Sequence, residues 1–122
     1  MKIVIKNNQI KQITITDFDE VTKSSIPYVV EFMNPTCHLC KALKPIYENI
    51  AEEYKDKFKF GIVNTTKERT ISKAFKLDGV PEIFIIFEGD VYNIKYPEDP
   101  DPNSGYTRDY IVEHLNSFLK KR

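Results

Sequence analysis

The 122-residue sequence lacks both a net charge and a long apolar run. Its eighteen lysine and arginine side chains are balanced by eighteen aspartate and glutamate side chains, so charge gives no reason to expect nucleic-acid binding. The longest apolar runs, such as Ile83 to Phe87, cover only a few residues, whereas a membrane-spanning helix needs about 20. We therefore expect a soluble protein with neither nucleic acid nor membrane as a partner.

Targeting signals are also missing. Lys6 and Asn7 interrupt the N-terminal apolar stretch before it reaches the roughly 7 to 15 residues of a secretory core. The C-terminus, Leu119 to Arg122, carries no lipidation or retention motif. The default expectation is the cytoplasm, although a chain whose signal had been removed would look the same. At this length we expect a single domain over residues 1–122.

Cysteine is scarce, with only Cys37 and Cys40 in the chain. A disulfide between them would close a very short loop and stabilise the fold little, so a structural role is not favoured. The spacing fits redox exchange, metal binding, or two buried small residues. Zinc is the weaker alternative, because a structural site takes four ligands and only His38 and His114 are good further candidates.

The apolar patterns predict an α/β fold with the element order β-α-β-α-β-α-β-β-α. Such an order predicts a central mixed β-sheet flanked by helices on both faces. The predicted strands run from Ile10 to Thr16, Pro27 to Met33, Phe58 to Val63, Glu82 to Glu88 and Val91 to Tyr96. The predicted helices run from a cap at Asp17 to Lys23, from Cys37 to Tyr54, from a cap at Thr66 to Phe75, and from a cap at Thr107 to Leu119. The alternation from Lys2 to Lys6, with a turn at Asn7-Asn8, suggests an extra N-terminal hairpin.

The long second helix begins at the two cysteines. A cysteine at a helix N-terminus lies among unpaired backbone N–H groups and at the positive end of the helix dipole, which stabilises a thiolate. Cys37 is therefore predicted to be the nucleophile. Cys40, one turn deeper on the same face, is predicted to resolve the mixed disulfide. Pro45 lies inside this helix and predicts a bend between Lys41 and Pro45.

Several residues outside the pair fall at spacings typical of one family. Pro45 follows the second cysteine by five residues, Gly79-Val80-Pro81 ends 44 residues after Cys37, and Gly89 follows eight residues later. With these matches the sequence resembles the thioredoxins from about residue 10 to residue 119, and its long helix also resembles that of protein disulfide isomerase a-type domains. The resemblance implies a thioredoxin fold and a thiol–disulfide oxidoreductase, and it favours redox chemistry over the alternatives above.

The resemblance also implies roles for individual residues. Pro81 would have a cis peptide bond beside the cysteines, and the Val80 backbone would pair with an extended substrate peptide, with Thr36 also at the peptide-binding surface. Without the spacing match, Pro81 would be an ordinary trans proline at the start of a strand. Glu31 occupies the family's buried-carboxylate position, where desolvation would raise its pKa and make it a proton acceptor for Cys40. The alternative for Glu31 is a strand-edge glutamate that faces water.

The same resemblance implies the molecules that act with this chain. It implies no cofactor and no metal, only a redox-active disulfide between Cys37 and Cys40. Protein thiols and disulfides would be the substrates, and a reductase or a thiol oxidase would recycle the pair. The chain would act as a monomer.

The residues around the cysteines depart from the usual family pattern. Thr36 stands where tryptophan is usual, and His38 and Leu39 replace Gly-Pro or Gly-His. Because the intervening residues tune the redox potential, the sequence leaves open whether the protein is a reductant, an isomerase or an oxidant. His38 either stabilises the Cys37 thiolate when protonated or is simply an exposed residue at the helix start. The missing tryptophan also leaves open a redox-inactive thioredoxin-fold module that binds proteins.

Two further departures concern the surroundings of the pair. Ile62 stands where the family often has a lysine that pairs with the buried carboxylate, which would leave Glu31 harder to ionise. If Gly89-Asp90 forms a two-residue turn, Pro97 lies opposite Glu82, and the loop of residues 97–105 borders the substrate groove. We then expect its acidic residues to favour cationic partners, with a solvated connector as the alternative. Those acidic residues are Glu98, Asp99 and Asp101.

Overall fold

A computed structural model describes residues 9–121, which form five strands and four helices in the predicted order. The strands are β1 (Ile10–Gln12), β2 (Tyr28–Met33), β3 (Lys59–Asn64), β4 (Glu82–Phe87) and β5 (Asp90–Ile94). The helices are α1 (Phe18–Lys23), α2 (His38–Glu53), α3 (Arg69–Ala74) and α4 (Arg108–Lys121). The suggested hairpin at Lys2 to Asn8 lies outside the described residues.

The five strands form one mixed sheet, as the sequence predicts, and their order in the sheet is β1-β3-β2-β4-β5. Strands β1, β3 and β2 are parallel, whereas β4 is antiparallel to both β2 and β5. The run of apolar residues in β2 fits its central place, because a central strand is covered on both faces. No helix within residues 9–121 has the length and hydrophobicity needed to cross a membrane.

Two apolar cores lie on opposite faces of the sheet. Val29 of β2 packs with Leu43 of α2 and Leu115 of α4 on one face, and its neighbour Val30 packs with Ile71 of α3 on the other. Successive side chains of a strand point to opposite faces, so Glu31 points to the same face as Val29. This alternation aims Glu31 at the helix that carries the cysteines.

Helix α2 is anchored to the sheet by its apolar face and by one tyrosine. The Tyr47 hydroxyl lies 2.9 Å from the Val29 carbonyl oxygen and 2.7 Å from the Gly61 carbonyl oxygen. Gly61 has no side chain to hold Ile13 away, and an added Cβ atom would collide with the Ile13 side chain. Pro45 lies inside α2 as predicted, and the bend there stays a prediction.

The structure corrects two predicted helix caps. The Asp17 carboxylate makes no cap bond to α1 and instead accepts hydrogen bonds from the backbone N–H and the hydroxyl of Thr14, at 3.2 and 3.0 Å. Thr66 does not begin α3, which starts three residues later at Arg69. Its hydroxyl donates to the Asn64 side-chain oxygen at 2.6 Å, so both polar residues close turns rather than cap helices.

The hairpin between β4 and β5 also differs from the prediction. Its two turn residues are Glu88 and Gly89, because Phe87 pairs with Asp90. Both turn residues have positive φ, 52° and 83°, as the tight hairpin turn of type I′ requires. The register therefore places Lys95, and not Pro97, across from Glu82, one position beyond the last pair of the ladder.

The end of the chain is held by polar contacts in the 97–105 loop and at the start of α4. The Asp101 carboxylate accepts hydrogen bonds from the backbone N–H groups of Asn103 and Ser104, at 2.8 and 3.2 Å. Thr107 caps α4 as predicted, since its hydroxyl accepts a hydrogen bond from the Tyr110 N–H at 3.2 Å. One of the loop's three acidic residues is thus committed to the loop itself.

Candidate active site

The turn that joins β2 to α2 sets the position of the first cysteine. The Asn34 side-chain oxygen accepts hydrogen bonds from the backbone N–H and the hydroxyl of Thr36, both at 2.9 Å. The Asn34 carbonyl accepts one from the Cys37 N–H at 3.0 Å. Thr36 is exposed beside Cys37, as expected for a residue at a peptide-binding surface. The sequence interpretation missed Asn34, although an asparagine two residues before a threonine is a common turn signal.

Cys37 is itself the N-cap of α2. Its backbone is extended, with φ −76° and ψ 120°, and its sulfur accepts a hydrogen bond from the Cys40 N–H at 3.1 Å. The sulfur therefore takes the place of the serine or aspartate oxygen that usually caps a helix. A negative charge on this atom is stabilised by the helix dipole and by the donated hydrogen bond. The side chain is partly exposed and open to a substrate.

Cys40 is different, because it is buried and only 5% exposed. Burial, together with the hydrogen bond to Cys37, raises the pKa of the Cys40 thiol to about 12. Both cysteines are free thiols in the structure. The pair thus has one accessible, stabilised sulfur and one shielded thiol that holds its proton.

Chain segments far apart in sequence meet at Cys37. The peptide bond between Val80 and Pro81 is cis, and the Cys37 sulfur lies 3.8 Å from the Val80 carbonyl oxygen. The structure therefore brings together Cys37 and the two residues that the sequence placed in the substrate groove. Val80 is partly exposed beside the sulfur.

Glu31 is buried behind the pair, with only 4% of its surface exposed. Burial raises the pKa of its carboxyl to about 8. Its register partner on β3 is Ile62. An apolar side chain therefore lies beside Glu31 at the position where the family often has a lysine. Glu31 and Cys40 line the same cavity of about 350 Å³, which Lys44 and Ile62 also border. The two groups therefore border one cavity that opens to the surface.

The two histidines do not form a metal site with the cysteines. His38 is exposed at the first position of α2, which leaves its tuning role a prediction. His114 lies on α4, with its ring against Tyr110 and its Nδ1 atom 2.9 Å from the Tyr110 carbonyl oxygen. Within residues 9–121, no three His, Cys, Asp or Glu side chains are grouped to hold a metal ion.

Two residues beside the groove were not singled out from the sequence. The Glu82 carboxylate, directly after Pro81, accepts hydrogen bonds from the Asp78 N–H at 3.2 Å and from the Asn93 side-chain amide at 3.1 Å. The buried Tyr106 hydroxyl bridges the ends of β4 and β5. Glu82 could have been found from the sequence, because it is a charged residue next to the proline of the groove. Tyr106 could not, because it acts through tertiary contacts that no local sequence pattern predicts.

Comparison with known proteins identifies the architecture around this site. The family model for thioredoxin matches residues 9–105, most of the chain. The chain belongs to the thioredoxin family. A solved thioredoxin from Trypanosoma brucei brucei has a TM-score of 0.77 at 16% identity, covering 98% of this chain and 99% of its own. At that identity the likeness establishes the thioredoxin fold alone.

Relatives of two kinds are similar in sequence to this thioredoxin-family chain. Protein disulfide-isomerase like 2-2 of Arabidopsis thaliana is 32% identical over 107 residues, which are 87% of this chain but 24% of that protein. Thioredoxin 1 of Synechococcus elongatus is 33% identical over 70 residues, 57% of this chain and 65% of the relative. The chain thus spans about a quarter of the first relative and under two thirds of the second. Family and paired cysteines together support a thiol–disulfide oxidoreductase in general.

Proposed function

We propose that this protein exchanges disulfides with protein substrates through the Cys37 and Cys40 dithiol, without a cofactor or metal. The observation that carries the proposal is the Cys37 sulfur at the N-cap of α2, where it accepts the Cys40 N–H at 3.1 Å. A partly exposed sulfur at a helix N-terminus suits a thiolate nucleophile. A redox-inactive binding module has no need for a shielded second thiol beside it.

The exchange proceeds in two displacement steps. The Cys37 thiolate attacks one sulfur of a substrate disulfide, so that a mixed disulfide forms and the other substrate sulfur leaves as a thiolate. The Cys40 thiol then loses its proton and attacks the Cys37 sulfur, which releases the second substrate thiolate. Two electrons pass to the substrate, and Cys37 and Cys40 become a disulfide. The reverse sequence oxidises a substrate dithiol.

Glu31 takes the proton from Cys40 in the second step. Both groups line one cavity, and a carboxyl with a pKa near 8 suits a base that works around neutral pH. The hydrogen bond to Cys37 helps to raise the pKa of the Cys40 thiol. When Cys37 enters a mixed disulfide its negative charge is gone, so the Cys40 thiol ionises more readily in that intermediate.

The groove for the substrate peptide lies between Thr36, Val80 and Pro81. The backbone of Val80 pairs with the extended substrate next to its cysteine, as in strand addition. The 3.8 Å between the Val80 oxygen and the Cys37 sulfur supports this proposal, because a peptide paired there would lie against the nucleophile. A reductase or a thiol oxidase then recycles the pair, and the chain works as a monomer.

Trapping the mixed disulfide tests this proposal. A Cys40→Ser variant lacks the resolving thiol, so it should accumulate a covalent adduct with a disulfide-containing protein such as insulin. The matched Cys37→Ser variant should form no adduct, because its remaining thiol is buried. Mass spectrometry of the intact adducts distinguishes the two. If only the Cys37→Ser variant forms an adduct, or if neither variant does, Cys37 is ruled out as the nucleophile.

A titration in glutathione buffers gives the direction of the reaction. A potential near about −270 mV would make the protein a reductant, and one near about −180 mV or above an isomerase or oxidant. Repeating it with His38→Ala tests the tuning role of His38. If a positive charge on His38 stabilises the thiolate, the variant should react more slowly with iodoacetamide than the wild type at acidic pH.

A further inference from the structure

A cleft of about 520 Å³ continues the groove beyond Pro81. One wall is the segment of residues 78–82, and the other consists of Asn93, Lys95 and Tyr96 at the end of β5. Val80 and Pro81 are part of the cleft wall and also flank Cys37, so a peptide held at the nucleophile extends directly into the cleft. The acidic residues of the 97–105 loop do not line it.

Tyr106 joins the two strands whose ends carry the cleft. Its hydroxyl accepts a hydrogen bond from the Ile83 N–H at 3.2 Å and donates one to the Ile94 carbonyl at 2.7 Å. Ile83 and Ile94 are the last pair of the β4–β5 ladder. The next residues along the two strands, Glu82 and Lys95, both line the cleft.

Glu82 is the buried acidic group in the cleft wall, with 7% of its surface exposed. Its carboxylate accepts two hydrogen bonds from neutral donors. The Asp78 N–H donates to one oxygen, and the Asn93 side-chain amide donates to the other. A carboxylate offers about four acceptor positions, so others remain. No salt bridge joins Glu82 to a cation anywhere in residues 9–121. Buried carboxylates are usually paired with a cation. Lys95 lines the same cleft but forms no salt bridge with Glu82.

We propose that this cleft is a specificity pocket for a lysine or arginine side chain of the substrate, close in sequence to its reacting cysteine. This inference rests on the proposed function, since it places the substrate peptide on Val80. The cationic head of the side chain binds the Glu82 carboxylate. Its aliphatic stem lies along the exposed ring of Tyr96, as long basic side chains do on apolar surfaces. Residues two apart in an extended peptide are about 7 Å apart on one face, which brings such a neighbour into the cleft.

Synthetic peptides test the pocket. Each peptide carries one cysteine as a mixed disulfide with thionitrobenzoate. One of the four positions nearest to this cysteine, two on each side, is lysine, norleucine or glutamate. Release of the coloured thiolate by the reduced protein gives the rate constant. At the best position the lysine peptide should react about tenfold faster than the norleucine peptide, the size of one charge-assisted contact.

Three variants locate the effect. Glu82→Gln keeps acceptor and donor groups but loses the charge, and should reduce the lysine preference to about twofold or less. Glu88→Gln, in the exposed hairpin turn of the same strands, removes the same charge elsewhere and should leave the preference unchanged. Lys95→Gln removes the cleft's own cation and should strengthen the preference, which provides a second test if the Glu82 variant does not fold.

The outcomes separate this inference from the proposed function. If no peptide reacts faster with the protein than with its Cys37→Ser variant, the proposed oxidoreductase function fails. If all peptides react fast and equally, or if the lysine preference survives in Glu82→Gln and does not change in Lys95→Gln, the pocket assignment is overturned while the redox function stands. A preference that disappears only with Glu82 and grows without Lys95 supports it.

Discussion

Replacing Glu31 with glutamine should remove a large pH dependence of folding stability. Glu31 is 4% exposed, and burial raises its pKa from an ordinary 4.5 to about 8. Between these two values the folded protein keeps a proton on Glu31 that the unfolded chain has lost. Because the folded state then binds more protons than the unfolded state, its stability falls as pH rises.

The size of this effect follows from the two pKa values. Each pH unit in the window lowers the free energy of unfolding by about 1.4 kcal/mol. Over the whole window the loss approaches about 5 kcal/mol, and at pH 7 it is about 3 kcal/mol. Such a loss is a large part of the roughly 5 to 15 kcal/mol that stabilises a typical domain. Glutamine has nearly the same shape and no charge, so the variant avoids this loss.

Urea unfolding of the fully reduced protein at pH 5, 6, 7 and 8 measures the effect. Circular dichroism follows the transition, and the linear extrapolation gives the free energy at each pH. Wild type and Glu31→Gln should be similar in stability near pH 5, and the variant should be the more stable by several kcal/mol at pH 8. The series ends there because the Cys40 thiol, with its pKa raised from 9.0 to about 12, adds a loss of its own above pH 9.

Glu88→Gln is the matched control, since Glu88 is an exposed glutamate in the hairpin turn. Its pH profile should run parallel to that of the wild type. If the wild type and Glu31→Gln show the same slope between pH 5 and pH 8, Glu31 ionises as readily in the folded protein as in water. The proposal that Glu31 accepts the Cys40 proton near neutral pH would then lose its basis.

Three substitutions test how the fold holds the site. Tyr106→Phe leaves the two backbone groups at the β4–β5 end without the bridging hydroxyl and should cost about 2 kcal/mol in urea unfolding; an unchanged midpoint would contradict the bridge. Gly61→Ala forces a methyl group against Ile13 and should cost about 1 to 3 kcal/mol, whereas a gain in stability would mean that Ile13 moves freely. Leu43→Ala opens a cavity in the core between α2 and the sheet and should cost about 2 to 5 kcal/mol, and a lower thermal midpoint checks it.

The sequence predicted the parts of the site that depend on local pattern. Cys37 at a helix start, Cys40 one turn later and the apolar run around Glu31 each follow from the spacing of a few neighbouring residues. The position of Val80 and Pro81 beside Cys37 followed from family spacing and not from local physics. The positions predicted for Cys37, Cys40 and Glu31 agree with the structure because helix and strand periodicities fix which side chains share a face.

The predictions that failed depend on backbone details that residue types do not settle. Asp17 and Thr66 are good capping residues, but each also closes a turn with its own neighbours, and the turn prevailed. The hairpin turn was placed one residue late because Glu88 adopts a left-handed conformation that glutamate rarely takes. That shift moved Lys95, rather than Pro97, next to Glu82. Tyr106 was missed because its hydroxyl forms hydrogen bonds with two strands that are distant from it in the sequence.

The use of Cys37 as a helix cap has a consequence for how the second step is timed. The atom that caps α2 is also the proposed nucleophile, and the N–H that it accepts belongs to Cys40. In the proposed exchange, a Cys37 sulfur bonded to a substrate would be uncharged and a poorer acceptor, so the Cys40 N–H would lose its cap. Binding of the substrate would then free the residue that is proposed to release it.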